Sequence, residues 1–467
     1  MQHRTEADQQ RVFTILSIAI SAALGGFLFG YDTAVINGAV SSIEATFQIS
    51  ASVLGFTVSS ALLGSAAGAI GAGWLADRIG RRPSMLLAAV LFLLSSVGSA
   101  LAPNLMDLVV WRVLGGVAVG FASVLAPAYI AEISPASMRG RTGSLQQLAI
   151  VLGIFLSLLF NYLIVLATPD QDPMSQLGPM AAWRWMLMAE VVPALLYGFL
   201  VLRIPESPRY LVRIGDLDQA RAVISRTIGE SPETVIDRIQ TSQGEGGGGS
   251  IRELFSRRSG LLPIVWTGVL LAIFQQLVGI NVIFYYSSDL WQSVGFSTTD
   301  SLSVSVITAV TNVVTTFLAI ATIDRLGRRP LLLLGSVVMT ISLGLMSSTF
   351  SGAPVVAGMP QLTGVSSWLA LIAANVFVFA FGFSWGPVMW VLLGEMFNNR
   401  IRAIALGLSA TVNWLANFLI STTFPMLLKS SGPALAYGLY ATAAAISFFF
   451  VLFLVRETRG MELEEMA

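Results

Sequence analysis

Three charged residues interrupt long apolar stretches of the sequence: Asp32, Arg112 and Glu190. An unpaired charge inside a membrane helix costs at least ~2–3 kcal/mol, so Arg112 is expected to pair with one or both acids. Such a pair can be static and only hold helices together. Alternatively, one acid exchanges a proton between the two sides of a membrane as the pair opens and closes. Asp32 is the better candidate, because it follows the glycine-rich G-G-F-L-F-G, where a helix can distort and admit water.

Uncharged polar side chains cluster in the second half of the chain. Gln276 and Asn281 flank Gly279 in Q-Q-L-V-G-I-N, and a helix that unwinds at Gly279 would aim both amides into one cavity. Amides donate to and accept from hydroxyl groups, and a flat indole packs against C–H faces, a combination that suits a sugar. The alternative is hydrogen bonding between helices, which amides also provide. Further candidates of these types are Gln146, Gln147, Asn312, Trp390, Asn413, Trp414 and Asn417.

The composition excludes several other classes of protein. The chain is 55% hydrophobic and 11% charged, whereas soluble domains carry roughly a quarter charged residues. Its zero net charge gives no support for nucleic-acid binding. There is no cysteine and the single histidine is His3, so a catalytic nucleophile–base pair or a metal site lacks its usual residues. The glycine run 246–249 lacks the G-K-[ST] ending of a phosphate-binding loop. We therefore expect no enzyme, no cofactor and no metal.

Membrane-spanning helices, each of roughly 20 mostly apolar residues, would position these side chains. A polar, charged stretch at 204–260 separates six apolar runs from six more. The sequence therefore predicts an all-α membrane protein with one six-helix bundle at 1–203, a helical linker at 204–260 and a second six-helix bundle at 261–467. The twelve runs cover residues 12–37, 52–75, 84–102, 105–131, 143–167, 183–203, 261–289, 301–323, 331–350, 366–394, 402–428 and 433–455.

One motif, D-R-I-G-R-R-P at residues 77–83, returns as D-R-L-G-R-R-P at residues 324–330. A repeat at this distance in an apolar chain indicates a duplicated half, which is how many membrane transporters are built. Of the 25 arginines, 23 fall on segments that twelve spans would bring to the same side of the membrane. The positive-inside rule makes that side cytoplasmic, together with both termini.

Each repeated loop has acidic residues that could pair with it. Glu132 precedes Arg139 by seven residues, and Glu395 precedes Arg402 by the same number. Guanidinium groups bind carboxylates bidentately, which predicts cytoplasmic latches that close the inner ends of the two halves and break when the inner side opens. The alternative is that the arginines only set topology. The expected latch residues are Asp77, Arg78, Arg81, Glu132, Arg139, Glu206, Arg209, Asp324, Arg325, Arg328, Glu395 and Arg402.

Glycine and proline interrupt corresponding spans of the two halves. Because broken helices at corresponding positions point to a substrate path, we expect distortions in the first and fourth span of each half. The interrupting residues are Gly25, Gly26, Gly30 and Pro127 in the first half, and Gly279, Gly382, Gly386 and Pro387 in the second.

These residues resemble the sugar porter family of the major facilitator superfamily. The resemblance covers nearly the whole chain and includes G-F-L-F-G-Y-D-T-A-V-I (26–36), P-E-S-P-R-Y-L (205–211), Q-Q-L-V-G-I-N (275–281) and S-W-G-P-V-M-W-V-L-L-G-E (384–395). It implies two six-helix bundles that give alternating access to one central sugar. The implied sugar contacts are Phe29, Gln147, Gln275, Gln276, Asn281, Tyr285, Asn312, Gly386, Trp390, Asn413 and Trp414.

The same resemblance implies a function. Proton-coupled bacterial members carry an Asp and an Arg where Asp32 and Arg112 stand, and an acid where Glu190 stands. We therefore expect import of a monosaccharide with a proton, by a functional monomer in the cell membrane. Asn413 favours a hexose, with glucose first. A uniporter of the same fold is the alternative, and a sugar-sensing receptor is a more distant one. One departure is Arg456, where the family usually has proline.

Overall fold

The computed structural model of the chain is almost entirely helical. It describes residues 6–135, 138–228, 231–245, 251–256, 260–356, 359–397 and 401–458. Eleven helices in these ranges are long and apolar enough to cross a membrane. The last, Ile404–Leu454, contains two spans, because Gly432 within it has non-helical dihedral angles (φ 75°, ψ 171°). The architecture is therefore the expected one of twelve spans in two six-helix bundles.

The first bundle is built on α3 and α5, which pack along each other, while α1 packs along α6 and α4 along α5. A 3₁₀ turn at Ile36–Gly38 joins α1 to α2, and a hairpin of β1 Gln176–Leu177 and β2 Met180–Ala181 precedes α7. The helices are α1 Glu6–Val35, α2 Val40–Phe47, α3 Ala51–Ile79, α4 Arg81–Leu101, α5 Leu105–Ile133, α6 Arg139–Leu166, α7 Ala182–Met188 and α8 Val191–Val201.

The polar segment between the bundles forms three short helices, α9 Pro208–Ile214, α10 Leu217–Thr227 and α11 Pro232–Glu245. Ser207 and Asp216 cap α9 and α10 by accepting backbone N–H groups, as expected at helix N-termini. The apolar residues of these helices form a separate small core. A 3₁₀ turn at Ile251–Leu254 and a hairpin of β3 Phe255–Ser256 and β4 Gly260–Leu261 lead into the second bundle.

In the second bundle, α15 packs along α16 and along the long final helix, which also packs along α12. A hairpin of β5 Val355–Val356 and β6 Met359–Pro360 lies between α15 and α16. The two bundles meet where α3 contacts α18 and where α6 contacts α14. The helices are α12 Pro263–Leu277, α13 Ile280–Ser293, α14 Thr298–Leu326, α15 Arg328–Ser351, α16 Val365–Phe383, α17 Trp385–Met396 and α18 Arg402–Leu454.

The helix breaks differ from the expected ones in the first half. α1 runs without interruption through Gly25, Gly26 and Gly30, and α5 runs through Pro127. The glycines allow close helix packing instead: a Cβ atom at Gly30 would lie 1.9 Å from the carbonyl oxygen of Ile150 on α6. The expectation of distorted first and fourth spans is therefore wrong for this half.

The broken spans are the sixth, seventh and tenth. The sixth divides between α7 and α8 at Glu190, and Pro193 then falls in the first turn of α8, where its missing N–H needs no partner. The seventh divides at Gly279, whose left-handed conformation (φ 80°, ψ 21°) is open to glycine at little cost. The tenth divides at Ser384 (φ −125°, ψ −89°). Two of these breaks lie in the second half, beside the predicted sugar contacts.

The repeated D-R-x-G-R-R-P loops have the same backbone geometry. Gly80 turns the chain from α3 to α4 with φ 100° and ψ 165°, and Gly327 turns it from α14 to α15 with φ 89° and ψ 163°. L-residues with a side chain rarely adopt these angles, which explains the glycine in each motif. Each turn brings the following arginine to the N-terminus of a helix.

Candidate functional site

A continuous hydrogen-bonded network of amides lies in the second half. The Gln275 side chain donates to the carbonyl oxygens of Trp385 and Gly386 at 3.2 and 3.3 Å, next to the Ser384 break. Asn413 of α18 donates to Gln275 Oε1 at 2.8 Å and accepts from Gln276 Nε2 at 3.0 Å. The network therefore links α12, α17 and α18 around the two broken helices.

The Gly279 break extends this network into α13. Asn281 Nδ2 donates to Gln276 Oε1 at 2.6 Å. On a regular helix, residues five apart point about 140° away from each other, so this bond requires the break. Farther along α13, Tyr285 OH accepts from Asn417 Nδ2 at 3.3 Å. The amides thus meet one another, as the unwinding at Gly279 predicted, and both of the interpretations offered by the sequence stay compatible with this geometry.

The other predicted sugar contacts lie on several different helices. Trp414 is buried and packs against Phe29 of the first half, with ring centroids 5.4 Å apart. Trp390 is 41% exposed, and Gln147 is half-buried on α6. Asn312 is buried on α14, where its Oδ1 atom would lie 3.2 Å from a Cβ atom at Gly382. In the described ranges, Gln147, Asn312 and Trp390 make no side-chain hydrogen bond to the amide network.

The three intramembrane charges are all buried in the first half. Arg112 Nη1 lies 3.4 Å from Asp32 Oδ1 and 3.3 Å from the carbonyl oxygen of the same residue. Asp32 and Arg112 are 2% and 3% exposed. Glu190, at the break between α7 and α8, is 2% exposed, and α8 packs against α1, which carries Asp32. Arg112 therefore binds Asp32 directly, and Glu190 is a second acid close to that pair.

The repeated arginines form two equivalent ion pairs. Arg81 binds Glu132 through Nε and Nη2 at 3.1 and 3.1 Å, and Arg328 binds Glu395 through the same atoms at 3.1 and 2.8 Å. Both pairs are bidentate, the strongest geometry for a guanidinium with a carboxylate. Asp77 adds bonds to Arg81 and to Arg213 of α9, each at 2.9 Å.

These pairs correct the expected latch in one respect. Arg81 and Glu132 both belong to the first half, and Arg328 and Glu395 both belong to the second. Each latch therefore ties helices within its own half instead of clamping one half to the other. The sequence did not distinguish these arrangements, because the spacing of charges along a chain does not specify which helices become neighbours.

The remaining latch candidates are placed as follows. Arg78 stacks on Trp74 at 5.3 Å, and its carbonyl oxygen accepts from Tyr210 OH. Arg209 and Arg325 are exposed on α9 and α14. The side chains of Arg139, Asp324 and Arg402 lie outside the described part of the structure, so the predicted E-x6-R partners stay predictions.

The predicted latch residue Glu206 has a counterpart in the second half, Glu457, that the sequence analysis missed. Glu206 accepts the backbone N–H groups of Arg81 and Arg82 at the N-terminus of α4. Glu457 does the same for Arg328 and Arg329 at the N-terminus of α15, at 3.0 and 3.0 Å. The next residue also repeats: Ser207 donates to Glu132, and Thr458 donates to Glu395 at 2.5 Å. The dipeptides Glu206-Ser207 and Glu457-Thr458, each after a bundle, were the signal.

The two halves contact each other at the end opposite the arginine-rich loops. Asn37 Nδ2 donates to the carbonyl oxygen of Phe284 at 3.0 Å, and Ser288 Oγ donates to the carbonyl oxygen of Asn37 at 2.5 Å. Ser59 and Thr422 share a hydrogen bond of 2.6 Å. Lys429 forms an ion pair with Glu44. The bundles are therefore joined at this end.

Comparison with known proteins provides independent evidence of the family to which the chain is related. A family model described as "Sugar (and other) transporter" matches residues 18–467. A protein of Synechocystis sp. named "Glucose transport protein" is 57% identical over 452 residues, covering 97% of each chain. The "D-xylose-proton symporter" of Escherichia coli (strain K12) is 37% identical over 485 residues, covering 97% of this chain and 95% of that protein.

Solved structures match over a similar length. An inward open conformation of the xylose transporter XylE from E. coli superposes with a TM-score of 0.81 at 36% identity, covering 97% of this chain and 99% of the other. XylE bound to 6-bromo-6-deoxy-D-glucose superposes with a TM-score of 0.77 at 36% identity, covering 98% and 99%. The sequence matches and the structure matches both extend over the two bundles and the linker between them.

Proposed function

Because the chain belongs to the Sugar (and other) transporter family, as a sugar porter of the major facilitator superfamily, we propose that it imports glucose together with a proton. The chain is a multi-pass membrane transporter and not an enzyme. Glucose is supported by the relative of 57% identity, which is named "Glucose transport protein". Proton coupling is supported by the relative named "D-xylose-proton symporter".

The amide network carries the sugar proposal. Gln275, Gln276, Asn281 and Asn413 bond to one another across two helix breaks. Each amide carries both donors and acceptors, so it can exchange a bond to its neighbour for a bond to a sugar hydroxyl. Trp414, which follows Asn413, and Trp390, one helical turn after Gly386 on α17, carry flat apolar faces for the sugar. Phe29, Gln147, Tyr285, Asn312 and Gly386 complete the proposed sugar contacts.

The Asp32–Arg112 pair carries the proton proposal. A buried carboxylate is stabilised by a guanidinium next to it, so loss of a proton from Asp32 favours a closer pair and its gain releases Arg112. In the proposed cycle, Asp32 is protonated while sugar enters from outside and loses its proton to the cytoplasm after the outer side closes. Glu190 is the proposed second acid. The contacts of Asn37 and Glu44 with the second half represent the closed outer side.

The test is sugar uptake into proteoliposomes driven by a pH gradient. Asp32→Asn should abolish uphill, pH-driven uptake while leaving downhill sugar exchange measurable. The matched control is Asp170→Asn, the same chemical change in an exposed loop. If Asp32→Asn accumulates sugar against its gradient as well as wild type does, the coupling assignment is wrong.

A uniporter is the second candidate. The relative of 57% identity is named only as a glucose transport protein, without mention of a proton. A uniporter would equilibrate sugar across the membrane whatever the pH gradient, and a protonophore would leave its uptake unchanged. A competition panel of glucose, xylose, galactose and fructose, with and without a protonophore, reads specificity and coupling in one experiment.

The proposed setting follows from the same family and from the arginine distribution. The arginine-rich loops face the cytoplasm, as do both termini, and the membrane is the cell membrane. The proposed units are residues 1–203, the linker 204–260 and residues 261–467, working as a monomer. In this arrangement, the paired Arg81–Glu132 and Arg328–Glu395 latches lie at the cytoplasmic end and keep each half rigid while the halves move.

A further inference from the structure

The core of the first half contains a group of buried polar atoms without a hydrogen-bond partner among the described residues. All belong to residues that are at most 7% exposed. Buried polar groups in proteins almost always have a partner, and where protein does not supply one, internal water does. The unpartnered atoms include Tyr31 OH, Asp32 Oδ2, Arg112 Nε, Gln146 Nε2 and Oε1, Glu190 Oε1 and Tyr197 OH. The first half also contains unpartnered Asn37 Oδ1, Ser99 Oγ, Ser157 Oγ and Asn161 Oδ1, which are not part of this group.

These atoms follow two helices that face each other. Asp32 lies on α1 and Glu190 at the start of α8, and these two helices pack against each other. Gly25 lies seven residues before Asp32 on α1, and Tyr197 lies seven residues after Glu190 on α8. These two residues are also in contact, because a Cβ atom at Gly25 would lie 2.8 Å from Tyr197 OH. Seven residues are two helical turns, or about 10 Å, so both pairs lie on the same faces of their helices. The polar atoms therefore form a column about 10 Å long.

The column points from Asp32 towards the arginine-rich end. α8 ends at Val201, four residues after Tyr197, which is about 6 Å along the helix axis. Gln146 of α6 lies beside the column, because a Cβ atom at Gly26 would be 2.6 Å from its Nε2 atom. Gly25 and Gly26 thus leave space for a hydroxyl and an amide where larger residues would fill it. The amide network of the second half lies on other helices, namely α12, α13, α17 and α18.

We propose that this column holds a chain of internal waters that carries the proton from Asp32 through the core of the first half to the cytoplasmic end, by way of Glu190 and Tyr197. The inference rests on the proposed proton coupling and adds the route to it. The sugar and the proton then leave by different paths. A proton released directly into the sugar cavity would not pass Tyr197, so a requirement for this hydroxyl distinguishes the two routes.

The transfer is balanced at each step. The proton leaves the Asp32 carboxyl group, whose carboxylate is then neutralised by Arg112. Each water or hydroxyl in the column accepts one proton on an oxygen lone pair and releases its own, so it is unchanged afterwards. Glu190 accepts one proton and passes on one proton, and the last is received by water at the cytoplasmic end. No electron is transferred and no other reactant is needed.

The test compares two tyrosines in purified protein reconstituted into liposomes. Tyr197→Phe removes only the hydroxyl and keeps the ring that packs in the core. Tyr437→Phe is the matched control, because its hydroxyl is equally buried and unpartnered but lies in the second half. Uptake driven by a pH gradient is measured beside sugar exchange at equal pH, which needs no net proton movement.

The proposal expects Tyr197→Phe to lower pH-driven uptake at least tenfold while exchange stays within twofold of wild type, and Tyr437→Phe to change neither. Gly25→Ala should act like Tyr197→Phe, because its Cβ would displace the hydroxyl. If Tyr197→Phe keeps the wild-type rate of pH-driven uptake, or loses exchange to the same extent, the route is wrong. Absence of pH-driven uptake in the wild-type protein would instead overturn the proposed coupling itself.

Discussion

Asn281 donates a 2.6 Å hydrogen bond to Gln276 across the helix break at Gly279. Two amides that a continuous helix would hold on different faces are thereby turned towards each other, and the break itself depends on one glycine in a left-handed conformation. In the proposed function, this is the place where sugar hydroxyls replace amide–amide bonds.

Gly279→Ala tests the break. Alanine costs about 1–2 kcal/mol in the left-handed region, and its Cβ would lie 2.5 Å from Tyr440 Cδ2. We expect sugar affinity to fall roughly tenfold, as follows from a loss near 1.4 kcal/mol, measured by titration of the purified protein. Gly344→Ala is the control, since that position has open space around it. Equal affinity in the two variants would remove the break from the sugar site.

Arg328→Ala tests the latch of the second half. Arg328 is buried and Glu395 is 28% exposed, so removing the arginine leaves a partly buried carboxylate without its main partner, at a cost of about 2 kcal/mol. Because Glu395 lies nine residues, or about 13 Å, beyond Gly386 along α17, we expect at least a tenfold loss of transport rate with sugar binding within twofold of wild type. The control is Arg221→Ala, which breaks an exposed pair in the linker. If binding and transport were lost to the same extent, the latch function would be wrong, and the arginines would only set the topology.

Glu457→Gln tests whether the Glu457 contact stabilises the second half as much as the equivalent Glu206 contact stabilises the first. Both carboxylates accept backbone N–H groups at a helix N-terminus, where a negative charge is stabilising. We expect Glu206→Gln and Glu457→Gln each to destabilise the protein by about 1–2 kcal/mol, measured by thermal unfolding in detergent. Glu233→Gln, on the exposed side of the linker, should leave the midpoint unchanged. A shift in only one of the two would show that the repeat is geometric alone.

Lys429→Met tests the ion pair that joins the two halves. Lys429 is 51% and Glu44 is 25% exposed, so the pair contributes about 1 kcal/mol. Its loss should raise the population opened at that end up to about fivefold. The chain has no cysteine. Phe284 is 4% exposed and its carbonyl oxygen accepts from Asn37 of the other half, so the labelling rate of Phe284→Cys with an impermeant maleimide reports opening.

The matched variant is Glu44→Lys combined with Lys429→Glu, which reverses both charges and should restore the slow labelling rate. Faster labelling in Lys429→Met that the double variant fails to reverse would mean that the effect comes from packing and not from the ion pair.

Much of the site could be predicted from local patterns. Asp32, Arg112 and Glu190 stand out because charge is costly in a membrane, and the structure buries all three in one bundle. The break at Gly279 was predictable because glycine alone adopts that backbone conformation readily. Residues Glu457 and Thr458 were harder to find, because they match Glu206 and Ser207 only once the two bundles are superposed.

The sequence by itself determined the twelve spans, the duplicated halves and the identity of the polar residues inside the membrane, because apolar length and charge are local properties of a chain. The tertiary structure alone decided which groups meet. It paired Arg81 with Glu132 within one half, and it kept α1 and α5 continuous where glycine and proline had suggested breaks. It also brought Tyr197 to Gly25. Contacts between helices depend on their packing, which residue spacing along a single helix does not specify.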